Sequence, residues 1–215
     1  MALTVNEIFY SVQGETSFAG LPCVFIRLTG CNLRCSYCDT RYAYSQGEPL
    51  EVCQILEQVA AYECPLVEVT GGEPLIQKET PLLVSSLISK GYKVLLETNG
   101  SQNIGLVENA CVKIMDVKCP CSGEYDKNDL ENLSRLMPLD EIKFVIGGKK
   151  DYEYAREILS LKRHGAFQSS QVHFSPLFGR MDPKILVEWI LRDHMGVRLN
   201  LQLHKIIWSP EMRGV

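Results

Sequence analysis

Three cysteines are the residues of this chain best suited to chemistry. They occur in the run Cys31-Asn32-Leu33-Arg34-Cys35-Ser36-Tyr37-Cys38, a C-x3-C-x2-C spacing. Thiolates are the usual protein ligands of iron–sulfur clusters, and a cubane presents four ligand positions. A short loop that supplies three of them leaves one iron open, which suits a cluster that binds a substrate or cofactor directly. The competing readings are a zinc loop and three unrelated core thiols. Structural zinc takes a closed set of four ligands, often as two separated pairs. The second pair would have to be Cys119 and Cys121, and their single intervening residue, Pro120, fits the usual spacing poorly. Those two thiols are likewise too few to hold a second cluster without help. Cys23, Cys53, Cys64 and Cys111 lie in apolar patterns and read as small core residues.

A second motif follows: Thr70-Gly71-Gly72-Glu73-Pro74. Glycines allow backbone to approach a ligand closely, and the carbonyls they expose can accept from an ammonium group. The two motifs together resemble those of the radical S-adenosylmethionine (SAM) superfamily. Its first hallmark is C-x3-C-x-aromatic-C, with Tyr37 in the aromatic place, and its second is a Gly-Gly-Glu-Pro turn after the second strand. The resemblance implies a [4Fe-4S] cluster on Cys31, Cys35 and Cys38, with SAM on the open iron. It also implies SAM contacts from Tyr37, Cys38, Asp39, Gly71, Gly72 and Glu73.

The opening segment narrows the resemblance. Glu7-Ile8-Phe9-Tyr10-Ser11-Val12-Gln13-Gly14-Glu15 is similar to the "F-x-S-x-Q-G-E" start of 7-carboxy-7-deazaguanine synthases, with Thr16 where that family usually continues with glycine. Arg27 precedes the cysteine loop as in that family, and Cys38-Asp39-Thr40 matches its "C-D-T" ending. Gln202-Leu203-His204-Lys205 resembles its terminal "Q-x-H-K" strand. Two matches are partial. Asp116-Val117-Lys118 stands where the family has a Ser-Pro-Lys-like turn, and Ser175-Pro176 stands where it commonly has Gln-Pro.

The resemblance implies further SAM contacts at Asp116, Lys118 and Ser175, and magnesium on the Thr40 hydroxyl. It implies a pterin site from Val12, Gln13, Gly14, Glu15, Arg27, Thr70 and His204. It also implies the reaction: radical-mediated ring contraction of 6-carboxy-5,6,7,8-tetrahydropterin to 7-carboxy-7-deazaguanine, with loss of ammonia. The protein then carries no catalytic side chain of its own, because the cofactor carries the difficult chemistry. An external one-electron reductant of flavodoxin or ferredoxin type and a homodimer belong to the same expectation. The rivals are a glycyl-radical-enzyme activase and a non-catalytic iron–sulfur electron-transfer module.

These motifs need a scaffold that gathers them. Short β-branched runs at 23–28, 66–69, 93–97, 112–117, 141–146, 171–174 and 197–203 alternate with helical patterns. Val52, Ile55, Leu56 and Val59 form one helical stripe, and 81–90 reads as a helix stopped by Gly91. Residues 126–137, 151–164 and 182–194 complete the series, each with an acidic residue near its start. Alternation of this kind implies parallel strands with right-handed helical crossovers. The expected fold is α/β: a partial, open β/α barrel of about six parallel strands with helices outside. In such sheets ligands gather at the carboxyl ends of the strands, where both motifs fall.

The totals agree with this reading. The 215 residues, 46% apolar and 22% charged, suit a single domain spanning 1–215. A net charge of -4 gives no reason to expect nucleic acid or an anionic membrane as partner. The start of the chain lacks a basic, apolar secretory pattern, and nine cysteines without one favour reduced thiols, hence a cytoplasmic protein.

Overall fold

The computed structural model describes residues 2–161 and 171–215. One nine-stranded open sheet organises the chain, in the order β3-β1-β2-β4-β5-β6-β7-β8-β9. Its strands are β1 (Ala2–Val12), β2 (Pro22–Leu28), β3 (Glu48–Glu51), β4 (Leu66–Gly71) and β5 (Lys93–Thr98), then β6 (Val112–Asp116), β7 (Glu141–Ile146), β8 (Val172–Pro176) and β9 (Arg198–Leu199). From β2 through β4 to β9 the neighbours run parallel. β1 pairs antiparallel with β2 and with β3. The six strands β2 and β4–β8 are the parallel array expected from the sequence. The antiparallel edge of β1 and β3 was not among the expected strands.

The helices follow from local signals. In α1 (Val52–Ala60) a capping box joins Glu51 and Gln54, and Ile55 and Val59 are buried. Within α2 (Thr80–Ser89), Leu83, Val84 and Leu87 are buried. Gly91, at φ 89°, ends it as expected: the Gly91 amide donates to Ile88 and the Tyr92 amide to Leu87. The carboxylate of Asp182 accepts from the Lys184 amide at 2.8 Å and opens α5 (Pro183–Arg192). Other expectations need correction. Residues 126–137 do not form one helix; they hold a single tight turn at Tyr125–Lys127 and the four-residue α3 (Asn132–Arg135). Asn128 and Asn132 spend their side chains on the backbone of Lys118, Gly100 and Gln102, which competes with helix formation. Helix α4 is Lys149–Ser160, and residues 162–164 of the expected helix lie outside the described residues.

The expected strand over 197–203 is also shorter. Asn200 is buried, and its side chain bonds the Thr16 amide and the Ser175 hydroxyl. The Leu203 amide then donates to the Gly14 carbonyl. These ties pull the chain off the sheet after β9 and into α6 (Leu203–Ile207). His204 therefore sits in a short helix and not on a strand. Cys23, Cys64 and Cys111 are buried as expected, but Cys53 is exposed on the outer side of α1.

Alternation across the parallel strands sets the inner face. Phe25 pairs in register with Glu68, Arg27 with Thr70, and Asp116 with Lys143. Partners in register on parallel strands share a face. Arg27, Glu68, Thr70, Glu97, Asp116 and Lys143 all line one cavity of about 740 Å³ at the carboxyl ends of the strands.

Candidate active site

The cysteine loop leaves β2 and closes one side of this cavity, with Cys31, Cys35 and Cys38 on its wall. Burial raises the Cys31 thiol above its ordinary range and the Cys35 thiol to about 11, so a metal centre would displace their protons on binding. Among the described residues no three His, Cys, Asp or Glu side chains converge on a single ion position. A cubane takes each thiolate on a different iron.

The glycines of the second motif serve the loop itself. Gly71 adopts φ 156°, and a Cβ there would land on the Leu28 carbonyl. A Cβ on Gly72 would land on the Gly30 carbonyl and lie 2.6 Å from the Cβ of Cys31. The Glu73 amide donates to the Gly30 carbonyl at 2.8 Å. The turn is thus packed backbone to backbone against the cysteine loop, and Gly71 and Gly72 also line the cavity.

Glu73 stands behind the wall and not in it. Fully buried, its carboxylate accepts from the Leu75 amide (3.0 Å), the Asn99 amide (2.6 Å) and the Thr98 hydroxyl (2.9 and 3.0 Å). It clamps the turn to the end of β5. Ser175 is also absent from the cavity wall, and its hydroxyl accepts from Asn200 at 2.9 Å. Leu177 and Phe178, just beyond it, line the cavity instead.

Two buried polar atoms near the cysteines have no partner among the described residues: the Tyr37 hydroxyl and Asp116 Oδ1. The other oxygen of Asp116 holds Lys118 at 2.8 Å. Unpaired buried polar groups are costly, and a polar ligand in this part of the cavity would satisfy Asp116. The residues therefore fit a cluster and a polar cofactor beside it. Thr40 Oγ1 lies 3.7 Å from the Cys38 sulfur and faces the same space. Asp39 lines the cavity, and Lys205 holds its carboxylate at 2.5 Å.

A second group of residues in the cavity wall is charged and densely hydrogen-bonded. The Arg27 guanidinium gives Nε to Glu7 (2.7 Å), which also accepts from the Tyr42 hydroxyl (2.9 Å). Its two terminal nitrogens have no hydrogen-bond partner among the described residues, and Arg27 lines the cavity, where a fork can grip a carboxylate. Gln13, nearly buried, donates to Glu68 at 2.8 Å and accepts from the Glu15 amide at 2.5 Å. Burial, then the neighbouring Glu97, pushes the Glu68 carboxyl up to about 8. Burial alone would raise Glu15 too, but the Lys143 charge and hydrogen bonds from Lys143 and Gln202 bring it down to about 2. Burial holds the His204 imidazole below its ordinary value, so the ring is neutral at pH 7. That ring packs where a Gly14 Cβ would sit, 2.5 Å from its Nδ1. Val12 and Thr70 complete this wall, and Pro210–Val215 lines its rim, with Arg213 stacked 3.9 Å over the Tyr42 ring.

Glu68, Glu97 and Lys143 were missed in the sequence. The signal was present: single charged residues at alternate positions in otherwise apolar strands, as in Leu66-Val67-Glu68-Val69-Thr70. Parallel strands covered on both faces read as continuous apolar runs, so each interruption marks a polar interior.

The fold and the site together define a radical SAM protein. The family model of the radical SAM superfamily matches residues 25–113, which include both motifs. A crystal structure of QueE from Escherichia coli shares the fold over 95% of each chain, with TM-score 0.81 and 24% identity. Two 7-carboxy-7-deazaguanine synthases are similar along nearly the whole chain. The one from Koribacter versatilis is 45% identical, covering 99% of this chain and 100% of that one. The one from Chlorobaculum tepidum is 43% identical, covering 99% and 97%. This chain belongs to the 7-carboxy-7-deazaguanine synthase family. It is a radical SAM enzyme with a [4Fe-4S] cluster and SAM as cofactors, acting on a small molecule with the help of a reductant. No helix among the described residues is long and apolar enough to cross a membrane.

Proposed function

We propose that this enzyme converts 6-carboxy-5,6,7,8-tetrahydropterin to 7-carboxy-7-deazaguanine in the cavity described above. One observation carries the assignment. A single cavity is lined both by three thiols with a glycine turn and by an arginine with a bonded array of amide and carboxylate groups. When bound, the cluster and SAM supply a carbon-centred radical by one-electron cleavage of the sulfonium.

The chain's own residues bind and orient. Cys31, Cys35 and Cys38 hold the cluster. Gly71 and Gly72 offer backbone to SAM, with Tyr37, Asp39, Asp116 and Lys118 around it. Arg27 grips the pterin carboxylate through its two free nitrogens, its Nε being held by Glu7. Glu15, kept ionised, accepts from the pterin's N–H edge, and Gln13 and Thr70 add further polar contacts. Neutral His204 closes the pocket against Gly14. Holding reactants this way converts a difficult encounter into an oriented one. Magnesium would take the Thr40 hydroxyl as one ligand. Hard cations need several oxygens, so substrate and water oxygens would complete that shell. Asp39 is engaged by Lys205, which leaves its backbone as the part free to meet SAM.

The reading takes residues 1–215 as one radical SAM core domain, which the continuous sheet from β3 to β9 supports. A homodimer, a cytoplasmic location and a flavodoxin- or ferredoxin-type donor rest on the family resemblance. The test is anaerobic. Protein reconstituted with iron and sulfide is reduced and given SAM, magnesium and the carboxytetrahydropterin. Formation of the deazapurine is expected. Cleavage of SAM without the deazapurine would overturn the substrate reading.

A further inference from the structure

Of the acidic residues that line the cavity, three are joined by one lysine. Glu15, Glu68, Glu97 and Asp116 all line the cavity. Lys118 pairs with Asp116, and Glu68 has the uncharged Gln13 amide as its hydrogen-bond partner. Glu15 lies in the turn after β1 and Glu97 at the end of β5, so nothing in the chain connects them directly. Both meet at the ammonium of Lys143. Its Nζ lies 2.9 Å from Glu15 Oε2, bonds Glu97 Oε1 directly, and stands 3.8 Å from Asp116 Oδ2. Among the described residues, Lys143 is the only cation paired with Glu97.

The lysine is built for that place. It rises from β7 opposite Asp116 in register, and its side chain is only 6% exposed. An ammonium has three donors and no acceptor, and three carboxylates converge on it. Two carboxylates facing one cavity repel each other, and a buried ammonium between them sets their separation. Glu97 remains 28% exposed, so part of its carboxylate is open to a ligand. Gln202 donates to Glu15 Oε1 at 2.9 Å, fixing that carboxylate from the other side.

We propose that Lys143 is a positioning residue for the substrate: it holds the carboxylates of Glu15 and Glu97 at a fixed separation, so that both accept from the pterin's N–H edge. This deepens the reading of the cavity given above and rests on it. Without the ammonium, two like-charged carboxylates lose the group that spaces them and move apart, out of reach of one ligand edge.

The test measures binding and not turnover. Protein carrying its cluster and SAM, without reductant, is titrated anaerobically with 6-carboxy-5,6,7,8-tetrahydropterin by calorimetry. K143M is expected to weaken binding by about 10- to 100-fold, and K143R, which keeps a cation there, to recover at least half of that loss on a logarithmic scale. Iron content and melting temperature show whether each variant folds. If K143M does not fold, the pair E97Q and E97Q/K143M carries the same test with one repelling charge removed; the double variant should bind at least tenfold more weakly than E97Q. K143M binding within threefold of wild type would overturn the proposal, as would K143R binding no better than K143M. In the fallback pair, equal binding by E97Q and E97Q/K143M would overturn it. Failure of the wild-type protein itself to bind the pterin would instead count against the reading of the cavity.

Discussion

Replacing Gly72 with alanine tests the packing that joins the two motifs. The new Cβ would collide with the Gly30 carbonyl oxygen and stand 2.6 Å from the Cys31 Cβ and 2.8 Å from the Gly30 carbonyl carbon. None of these atoms can swing aside, because two are backbone and the third is fixed to it. Either the glycine turn or the cysteine loop must move. The movement strains the 2.8 Å bond from the Glu73 amide to the Gly30 carbonyl. Overpacking of this kind costs about 1–3 kcal/mol, and loss of the bond adds about 1 kcal/mol. The sum is about 2–4 kcal/mol. In a domain of this size each kcal/mol lowers the midpoint by about 2–4 °C, so the expected drop is about 4–16 °C. Cluster-free protein followed by circular dichroism reads the drop, and iron per chain after anaerobic reconstitution reads the damage to the Cys31 position. Gly148 supplies the control, since a Cβ there meets nothing within 4 Å; it caps the N-terminus of α4, so G148A should lose no more than about 1 kcal/mol. If G72A melts within 2 °C of wild type and holds a full complement of iron, the close-packing argument is wrong.

Other outcomes follow from the same geometry. Both oxygens of Glu73 accept from backbone amides, Leu75 on one and Asn99 on the other. Either orientation of the amide in E73Q therefore sets an N–H against an N–H, and the variant should lose about 2–3 kcal/mol in denaturant melts; unchanged stability would refute the clamp. R27K keeps the charge but not the fork, so KM for the pterin should rise about tenfold or more with a smaller change in kcat, whereas an unchanged KM would remove Arg27 from carboxylate binding. The Glu68 carboxyl, raised from about 4.5 to about 8, binds its proton more tightly folded than unfolded. Its contribution to stability is whole below about pH 4.5, declines by about 1.4 kcal/mol per pH unit above that, and is lost as pH rises through 8. E68Q has no such proton to lose, so its stability should fall less than wild type between pH 6 and 8; parallel curves would show that Glu68 is ionised in the fold.

Much of the site was legible in the chain because it is local. The three cysteines and the glycine turn each sit just past a strand, and the sequence order of strand and helix signals places such points together at one end of a parallel sheet. The departure at Thr16 also has a local meaning. Its φ of 65° is a left-handed conformation that glycine adopts without cost and a β-branched residue does not. Here the Asn200 side chain holds its amide and the Phe18 amide bonds its hydroxyl, which offsets that cost.

Residue type and spacing thus pointed to a metal-binding cysteine loop and a parallel open sheet, and the motifs' resemblance to known proteins pointed to the family, because those signals are carried by neighbours in the chain. Only the tertiary structure decided that Glu73 and Ser175 stand outside the cavity wall and that 126–137 is broken by asparagines bonding distant backbone. It also decided that His204 rides a short helix drawn toward Gly14, and that Glu15, Glu97 and Asp116 share one lysine. The reason is common to all four. Where a polar side chain spends its hydrogen bonds depends on which strand or turn the fold brings beside it, and the partners here are distant in sequence: Lys143 lies 128 positions from Glu15 and 46 from Glu97.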